Sequence, residues 1–170
     1  MGVTGLSDGA STVTWALIHS SLFSAAAMST CCIDTTLAMR VGPAAARDFQ
    51  AVGYPGILGR SDPFWKDLSL SVNARQVSTP ILLQLSDDEF LNSLESSTAL
   101  REAGAPVDTF FFPGEHHVKW QPAHRLAIYR RSLDWFDYWL RGIRSAAPDR
   151  QDELKQWDRL RSESTRRTTK

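Results

Sequence analysis

The pentapeptide Gly5-Leu6-Ser7-Asp8-Gly9 constrains this chain more than any other stretch of its sequence. A short apolar run precedes it and a helix-compatible run comes after it, so the pattern predicts a strand, a tight turn and a helix. In such a turn the serine hydroxyl projects from the end of the strand, and the flanking glycines let neighbouring backbone pass close because they carry no Cβ. A simple Gly/Ser turn entering a helix would have the same sequence, so the meaning of the motif depends on the residues downstream of it.

Length and composition indicate one globular domain. The chain has 170 residues, of which 42% are hydrophobic, and its six Trp and eight Phe supply bulky core side chains. The formal net charge is zero, which gives no support to nucleic acid or an anionic membrane surface as a partner. No run is long and apolar enough to span a bilayer. We expect no metal site and no cofactor.

The two cysteines, Cys31 and Cys32, are adjacent in the sequence. Neighbouring cysteines seldom bridge each other, so we interpret them as buried thiols in a reducing compartment. No charged segment followed by an apolar one marks the N-terminus as a targeting signal. Together these features predict a cytoplasmic location.

Alternating strand and helix patterns predict an α/β fold with a parallel sheet. The predicted strands are 2–6, 22–28, 80–85 and 107–112, and the predicted long helices are 8–20, 92–103 and 122–141. Residues 30–63 contain many turn signals, and we expect short helical pieces there that partly line a substrate cleft. Residues 143–170 are highly charged and are predicted to be a frayed or disordered tail after a domain of residues 1–142.

Polar side chains come after three of the predicted strands: Ser7, Asp87 and His117. Because the carboxyl ends of parallel strands gather at one edge of a sheet, these residues can meet in one site. A serine hydroxyl needs a base to take its proton, and a carboxylate orients that base, so the three residues are candidates for a catalytic triad. Taken singly, Asp87 is equally a helix N-cap, and His116 and His117 are equally solvated loop residues.

Four segments carry a resemblance to a known family: GVTGLSDGA, TPILLQLSDDEF, LREAGAPVDTFFFPGEHH and RRSLDWFDYWL. Over residues 1–142 the sequence resembles the α/β-hydrolase domain of the prolyl oligopeptidase-like serine peptidases. The resemblance implies the C-terminal half of such a domain, a parallel sheet of about four strands flanked by helices. The segments SDDEF, PGEHHVKWQPAHRLAIYRR and WFDYWL look most like the lasso-peptide isopeptidases of this family, which cut the isopeptide bond that closes a lasso-peptide ring.

The resemblance also implies roles for individual residues. Ser7 would be the nucleophile, Asp87 the acid, and His117 the base, with His116 as the second choice for the base. The backbone N–H of Asp8 would donate to the oxyanion, although the carboxylate of Asp8 disfavours an anion nearby. The family's β-propeller, its first hydrolase strands and its second oxyanion donor precede the part that these 170 residues resemble.

These observations predict a serine peptidase that hydrolyses an amide or isopeptide bond through an acyl-enzyme, with a peptide, such as a lasso peptide, as its substrate. An esterase of the same fold is an alternative. A second alternative is a catalytically impaired fragment that acts as a partner subunit or is a truncated gene product. We also expect self-association through an exposed edge of the strand before Ser7.

Overall fold

The computed structural model describes residues 1–168, without the side chains of residues 88 and 166–168. Its centre is a four-stranded parallel sheet with the strand order β1-β2-β3-β4. The strands are β1 (Gly2–Leu6), β2 (Ala25–Ser29), β3 (Ile81–Ser86) and β4 (Val107–Phe112). The predicted fold class is therefore confirmed, and all four strands end at the same edge of the sheet.

The described part of the chain contains seven α-helices. They are α1 (Asp8–His19), α2 (Leu37–Arg40), α3 (Gly42–Ala51), α4 (Trp65–Leu68), α5 (Phe90–Glu102), α6 (Pro122–Phe136) and α7 (Gln151–Thr168). The helix α6 continues as a π-helical turn, Asp137–Arg141, and ends at Gly142 with a φ of 69°. The short helices α2 and α3 confirm the expectation for residues 30–63.

The two faces of the sheet carry separate hydrophobic clusters. On one face, Val13 and Leu17 of α1 and Leu100 of α5 pack with sheet residues such as Leu83. On the other face, Trp135, Tyr138 and Trp157 pack with Leu82 and with alanines of β2. β2 and β3 are buried along their whole length, whereas the edge strand β1 is partly exposed. The sheet thus holds the strand ends rigidly between two helical layers.

Within residues 143–170, which were predicted to be a frayed or disordered tail, residues 151–168 instead form the helix α7. Leu154 and Trp157 are each only 1% exposed, and the Trp157 indole N–H donates to Asp108 at 2.7 Å. The prediction was wrong because the high charge of this segment hides an apolar stripe with helical spacing, Leu154, Trp157 and Leu160. Residues 169–170 lie outside the described part.

Cys31 and Cys32 are joined by a disulfide, and the peptide bond between them is cis. The prediction of two separate thiols was therefore wrong, although both residues are buried as expected. Their Cα atoms lie 3.1 Å apart, which brings the two side chains together at the end of β2. Among residues 1–168, no helix has both the length and the apolar character that crossing a membrane requires.

Candidate active site

Ser7 lies in a sharp turn between β1 and α1. Its φ of 56° is unusual for a residue with a side chain, and α1 begins at the next residue, Asp8. The Ser7 backbone N–H donates to the Ser29 carbonyl and to the Thr30 hydroxyl, each at 3.1 Å, which fixes the turn to the end of β2. A Cβ on Gly5 would collide with the backbone of Gly9, so the first glycine of the pentapeptide is required by close packing. This is the predicted strand–turn–helix.

The structure brings Ser7 and His117 together. His117 lies in the loop after β4, and its Nε2 is 2.8 Å from the Ser7 Oγ. The neighbouring His116 packs beside the ring of Trp120, with the ring centroids 6.0 Å apart. Of the two histidines that the sequence offered, His117 is therefore the one in contact with the serine.

The carboxylate beside His117 belongs to Glu89, not to Asp87. Glu89 Oε1 accepts a hydrogen bond from His117 Nδ1 at 2.8 Å, and the Glu89 side chain is only 5% exposed. Asp87 is exposed and instead accepts a hydrogen bond from the Gly114 N–H at 2.6 Å. The expected contact between Asp87 and His117 is not formed, so this prediction is corrected by the structure.

A helix capping box places Glu89 in this position. Ser86 is the N-cap residue at the end of β3, and Glu89 is the third residue of the following turn. Glu89 Oε2 accepts hydrogen bonds from the Ser86 N–H at 3.0 Å and from the Ser86 hydroxyl at 2.7 Å. These bonds fold the Glu89 side chain back over the strand end, whereas the Asp87 carboxylate reaches Gly114 in the loop after β4. The Ser-x-x-Glu spacing is the signal in the sequence that identifies such a glutamate.

A second charged side chain at the site, Lys119, was not singled out by sequence reasoning. Its Nζ donates to Glu89 Oε2 at 2.9 Å, and its side chain is 2% exposed. Glu89 thus has His117 on one oxygen and Lys119 with Ser86 on the other. No spacing or motif around Lys119 distinguishes it from a surface lysine before the structure is known.

Glu115 holds the loop that carries His117. Its buried carboxylate accepts hydrogen bonds from the backbone N–H groups of Trp120 and Gln121, at 2.9 and 3.1 Å, and from His124 Nδ1 at 2.8 Å. Burial opposes the charge of Glu115, but these hydrogen bonds outweigh it and hold the pKa of Glu115 below its ordinary value. The loop is therefore fixed by a carboxylate that stays ionised at neutral pH.

A cavity of about 300 Å³ opens beside Ser7 and His117. Its lining includes the segment 30–54, through Cys31, Cys32, Leu37, Val41, Phe49 and Tyr54. Asp8 lies at the same cavity, and burial together with the Asp8 carboxylate raises the pKa of Tyr54. The segment that the sequence predicted to line a cleft does line this cavity.

The model of the prolyl oligopeptidase family matches residues 1–142 of this sequence. The chain therefore belongs to this family of serine peptidases. The lasso peptide isopeptidase AtxE2 from Asticcacaulis excentricus is 45% identical over 95% of this chain, which spans only 24% of that protein.

Solved structures of peptidases are similar to this chain in fold. AtxE2 isopeptidase in its apo form superposes with a TM-score of 0.90 at 45% identity, covering 95% of this chain and 25% of that one. A serine-to-alanine variant of AtxE2 with astexin3-dC4 bound gives a TM-score of 0.89 at 44% identity and the same coverage. An acylaminoacyl peptidase from Pyrococcus horikoshii, at 21% identity and a TM-score of 0.69, shares the fold over 88% of this chain and 26% of its own.

Proposed function

We propose that this chain carries the catalytic triad of a serine peptidase, with Ser7 as nucleophile, His117 as general base and Glu89 as the residue that orients His117. The observation that carries the proposal is the pair of hydrogen bonds from Ser7 Oγ to His117 Nε2 and from His117 Nδ1 to Glu89 Oε1, both 2.8 Å long. An ionised carboxylate only accepts hydrogen bonds, so Glu89 selects the tautomer with the proton on Nδ1. Nε2 is then free to accept the proton of Ser7.

The proposed reaction is the one that this arrangement supports. Ser7 Oγ attacks the carbonyl carbon of the substrate while its proton moves to His117 Nε2, and Glu89 stabilises the imidazolium that forms. His117 then gives the proton to the leaving amine, which leaves an acyl group on Ser7. A water molecule, deprotonated by His117 in turn, attacks the acyl-enzyme and releases the acid.

We assign one donor for the oxyanion to the backbone N–H of Asp8. Asp8 directly follows Ser7 in the chain and is the first residue of α1, so its N–H has no partner within the helix. The position of this N–H is set by the turn at Ser7, so the assignment does not depend on the Asp8 side chain. The Asp8 carboxylate is exposed, which limits its repulsion of an oxyanion through solvent screening.

For the substrate, we propose the isopeptide bond of a lasso peptide. The support is the 45% identity to a protein named lasso peptide isopeptidase and the structure of that protein with astexin3-dC4 bound. Because this chain spans about a quarter of that relative, the activity and the substrate of the whole protein remain proposals.

The cytoplasmic location also remains a prediction. The disulfide between Cys31 and Cys32 removes the argument for it that was based on free thiols.

The triad is tested by labelling the full-length natural protein with a fluorophosphonate probe, which reacts with activated serines. We expect labelling on Ser7 that is lost in Ser7→Ala and His117→Ala and retained in the matched control His116→Ala. Labelling that survives Ser7→Ala would refute the assignment of the nucleophile. Loss of labelling in His116→Ala alone would show that His116, and not His117, is the general base.

The substrate is tested with a threaded lasso peptide and its linear counterpart of the same composition. We expect the protein to open the ring by hydrolysing the isopeptide bond and to leave the linear peptide intact, which mass spectrometry distinguishes. Equal hydrolysis of simple esters or of linear peptides would favour a broader esterase or peptidase. No reaction and no probe labelling would refute both the triad and the substrate.

A further inference from the structure

Lys119 is the buried cation of the site. Its side chain is 2% exposed, and its Nζ lies 2.9 Å from Glu89 Oε2. Burial of a lysine charge is costly unless an opposite charge is close, and Glu89, itself 5% exposed, supplies that charge. The two residues thus form a neutral unit directly behind His117, on the side away from Ser7.

The ion pair between Lys119 and Glu89 changes the net charge beside His117 in the proposed triad. Glu89 accepts the hydrogen bond of His117 Nδ1, so its negative charge favours a positive charge on the imidazole, whereas the adjacent charge of Lys119 opposes one. A proton held by the pair at rest would occupy the base that Ser7 needs. Lys119 counters this, because it already neutralises the Glu89 carboxylate before any proton arrives.

We propose that Lys119 is a positioning residue that keeps the Glu89–His117 pair free of a proton at rest, so that His117 can accept the proton of Ser7. The proposal rests on the triad proposed above. Lys119 acts through Glu89 and touches neither the substrate nor the reacting atoms.

Other charged and titratable side chains lie on the elements that neighbour the pair. They are Asp8 at the start of α1, Asp87 before α5, Glu115 and His116 in the His117 loop, and His124 and Arg125 on α6. Asp87 is bound to the Gly114 N–H, Glu115 pairs with His124, and Arg125 donates to the Lys119 carbonyl. Among the described side chains, Lys119 is the cation in hydrogen-bond contact with the Glu89 carboxylate, so its charge is the one to remove.

The first test measures the protonation of His117 itself by NMR, with isotope-labelled histidine in the full-length natural protein. Lys119→Met removes the cation, and Lys119→Gln removes the charge while keeping a hydrogen-bond donor. In both variants we expect the midpoint of the His117 titration to rise by about one pH unit or more. Lys119→Arg, which keeps the charge, should restore the wild-type midpoint.

The matched control is Arg131→Met. Arg131 forms a comparably buried ion pair with Glu153, with a side chain that is 6% exposed, but it lies on α6 outside the triad. This variant should lose stability without moving the His117 titration. An unchanged midpoint in both uncharged Lys119 variants, or an equal shift in Lys119→Arg, would overturn the proposal.

The second test is the pH profile of fluorophosphonate labelling. In mildly acidic buffer the Lys119→Met variant should label about tenfold more slowly than wild type, because one pH unit changes the deprotonated fraction by that factor. The difference should shrink in alkaline buffer, whereas a merely structural role would slow labelling equally at every pH. If His117 shifts in the NMR titration but wild type does not label, this inference stands and the proposed function fails.

Discussion

At the residue scale, Glu89 and Asp87 differ in what their oxygens contact. Glu89 Oε2 faces three donors, the Lys119 Nζ and the N–H and hydroxyl of Ser86, while Oε1 faces His117. In Glu89→Gln the amide oxygen must therefore face Lys119 and Ser86, which turns the NH₂ group towards His117. That donor forces the proton of His117 onto Nε2, where it blocks transfer from Ser7.

We therefore expect Glu89→Gln to slow fluorophosphonate labelling by about 10³- to 10⁴-fold, the effect of a wrong histidine tautomer in serine proteases. Asp87→Asn is the matched control, because its amide oxygen can still accept the Gly114 N–H. Its effect should stay within about tenfold, the value of one neutral hydrogen bond. A larger loss of labelling rate in Asp87→Asn than in Glu89→Gln would indicate that Asp87 is the acid of the triad.

At the element scale, the loop between β4 and α6 depends on Glu115. Three donors converge on its two oxygens, so Glu115→Gln leaves at least one of them without a partner. A buried donor without a partner is destabilising, so we expect the Tm at neutral pH to fall by about 2–8 °C, measured by circular dichroism. Because the loop also carries His117, probe labelling should slow as well.

The pH dependence of this effect has a definite sign. The pKa of Glu115 is lowered by folding, so its contribution to stability is present above the ordinary value of 4.5 and is lost as the pH falls through the folded value. The difference in Tm between wild type and Glu115→Gln should therefore be largest at neutral pH and shrink in acid. A difference that stays constant down to acid pH would contradict the role of the ionised carboxylate.

At the scale of the whole molecule, β1 pairs with β2 on one side and has no strand on its other side within residues 1–168. A groove of about 710 Å³ runs beside it, lined by Leu6 of β1 and by Tyr129, Leu133 and Phe136 of α6. Leu6 and Leu133 are 51% and 65% exposed. An open strand edge next to exposed apolar side chains favours pairing with another chain.

We predict that the isolated 170-residue chain self-associates through this edge at micromolar concentration. Size-exclusion chromatography with light scattering should show dimers or larger species, and Leu133→Lys should shift them towards the monomer. Leu91→Lys is a suitable control, because Leu91 is also exposed but lies on α5. A monomer at all concentrations, or an equal effect of both substitutions, would refute the prediction.

The sequence by itself determined the alternation of strands and helices, the turn at Ser7 and the position of Ser7 and the His116-His117 loop at one edge of the sheet, whereas the structure decided that His117 is the histidine in contact with Ser7. The reason is that these features depend on local patterns and on one general rule, that parallel strands end at one edge of a sheet. An apolar run such as residues 80–85 can be identified as a strand without information about the elements that pack against it. The Gly5-x-Ser7-x-Gly9 spacing likewise predicts the turn, although close packing requires only Gly5, since a Cβ on Gly9 would meet no atom within 4 Å.

Only the tertiary structure decided which carboxylate contacts His117, which cation pairs with that carboxylate, and whether residues 151–168 form a helix. Asp87 and Glu89 are two residues apart, and the choice between them depends on the side-chain direction that the Ser86 capping box imposes. Lys119 becomes a buried partner, and α7 an ordered helix, only because elements distant in sequence cover them. The Ser86-x-x-Glu89 spacing and the stripe of Leu154, Trp157 and Leu160 are present in the sequence, but the burial and charge pairing of these residues are set by long-range packing.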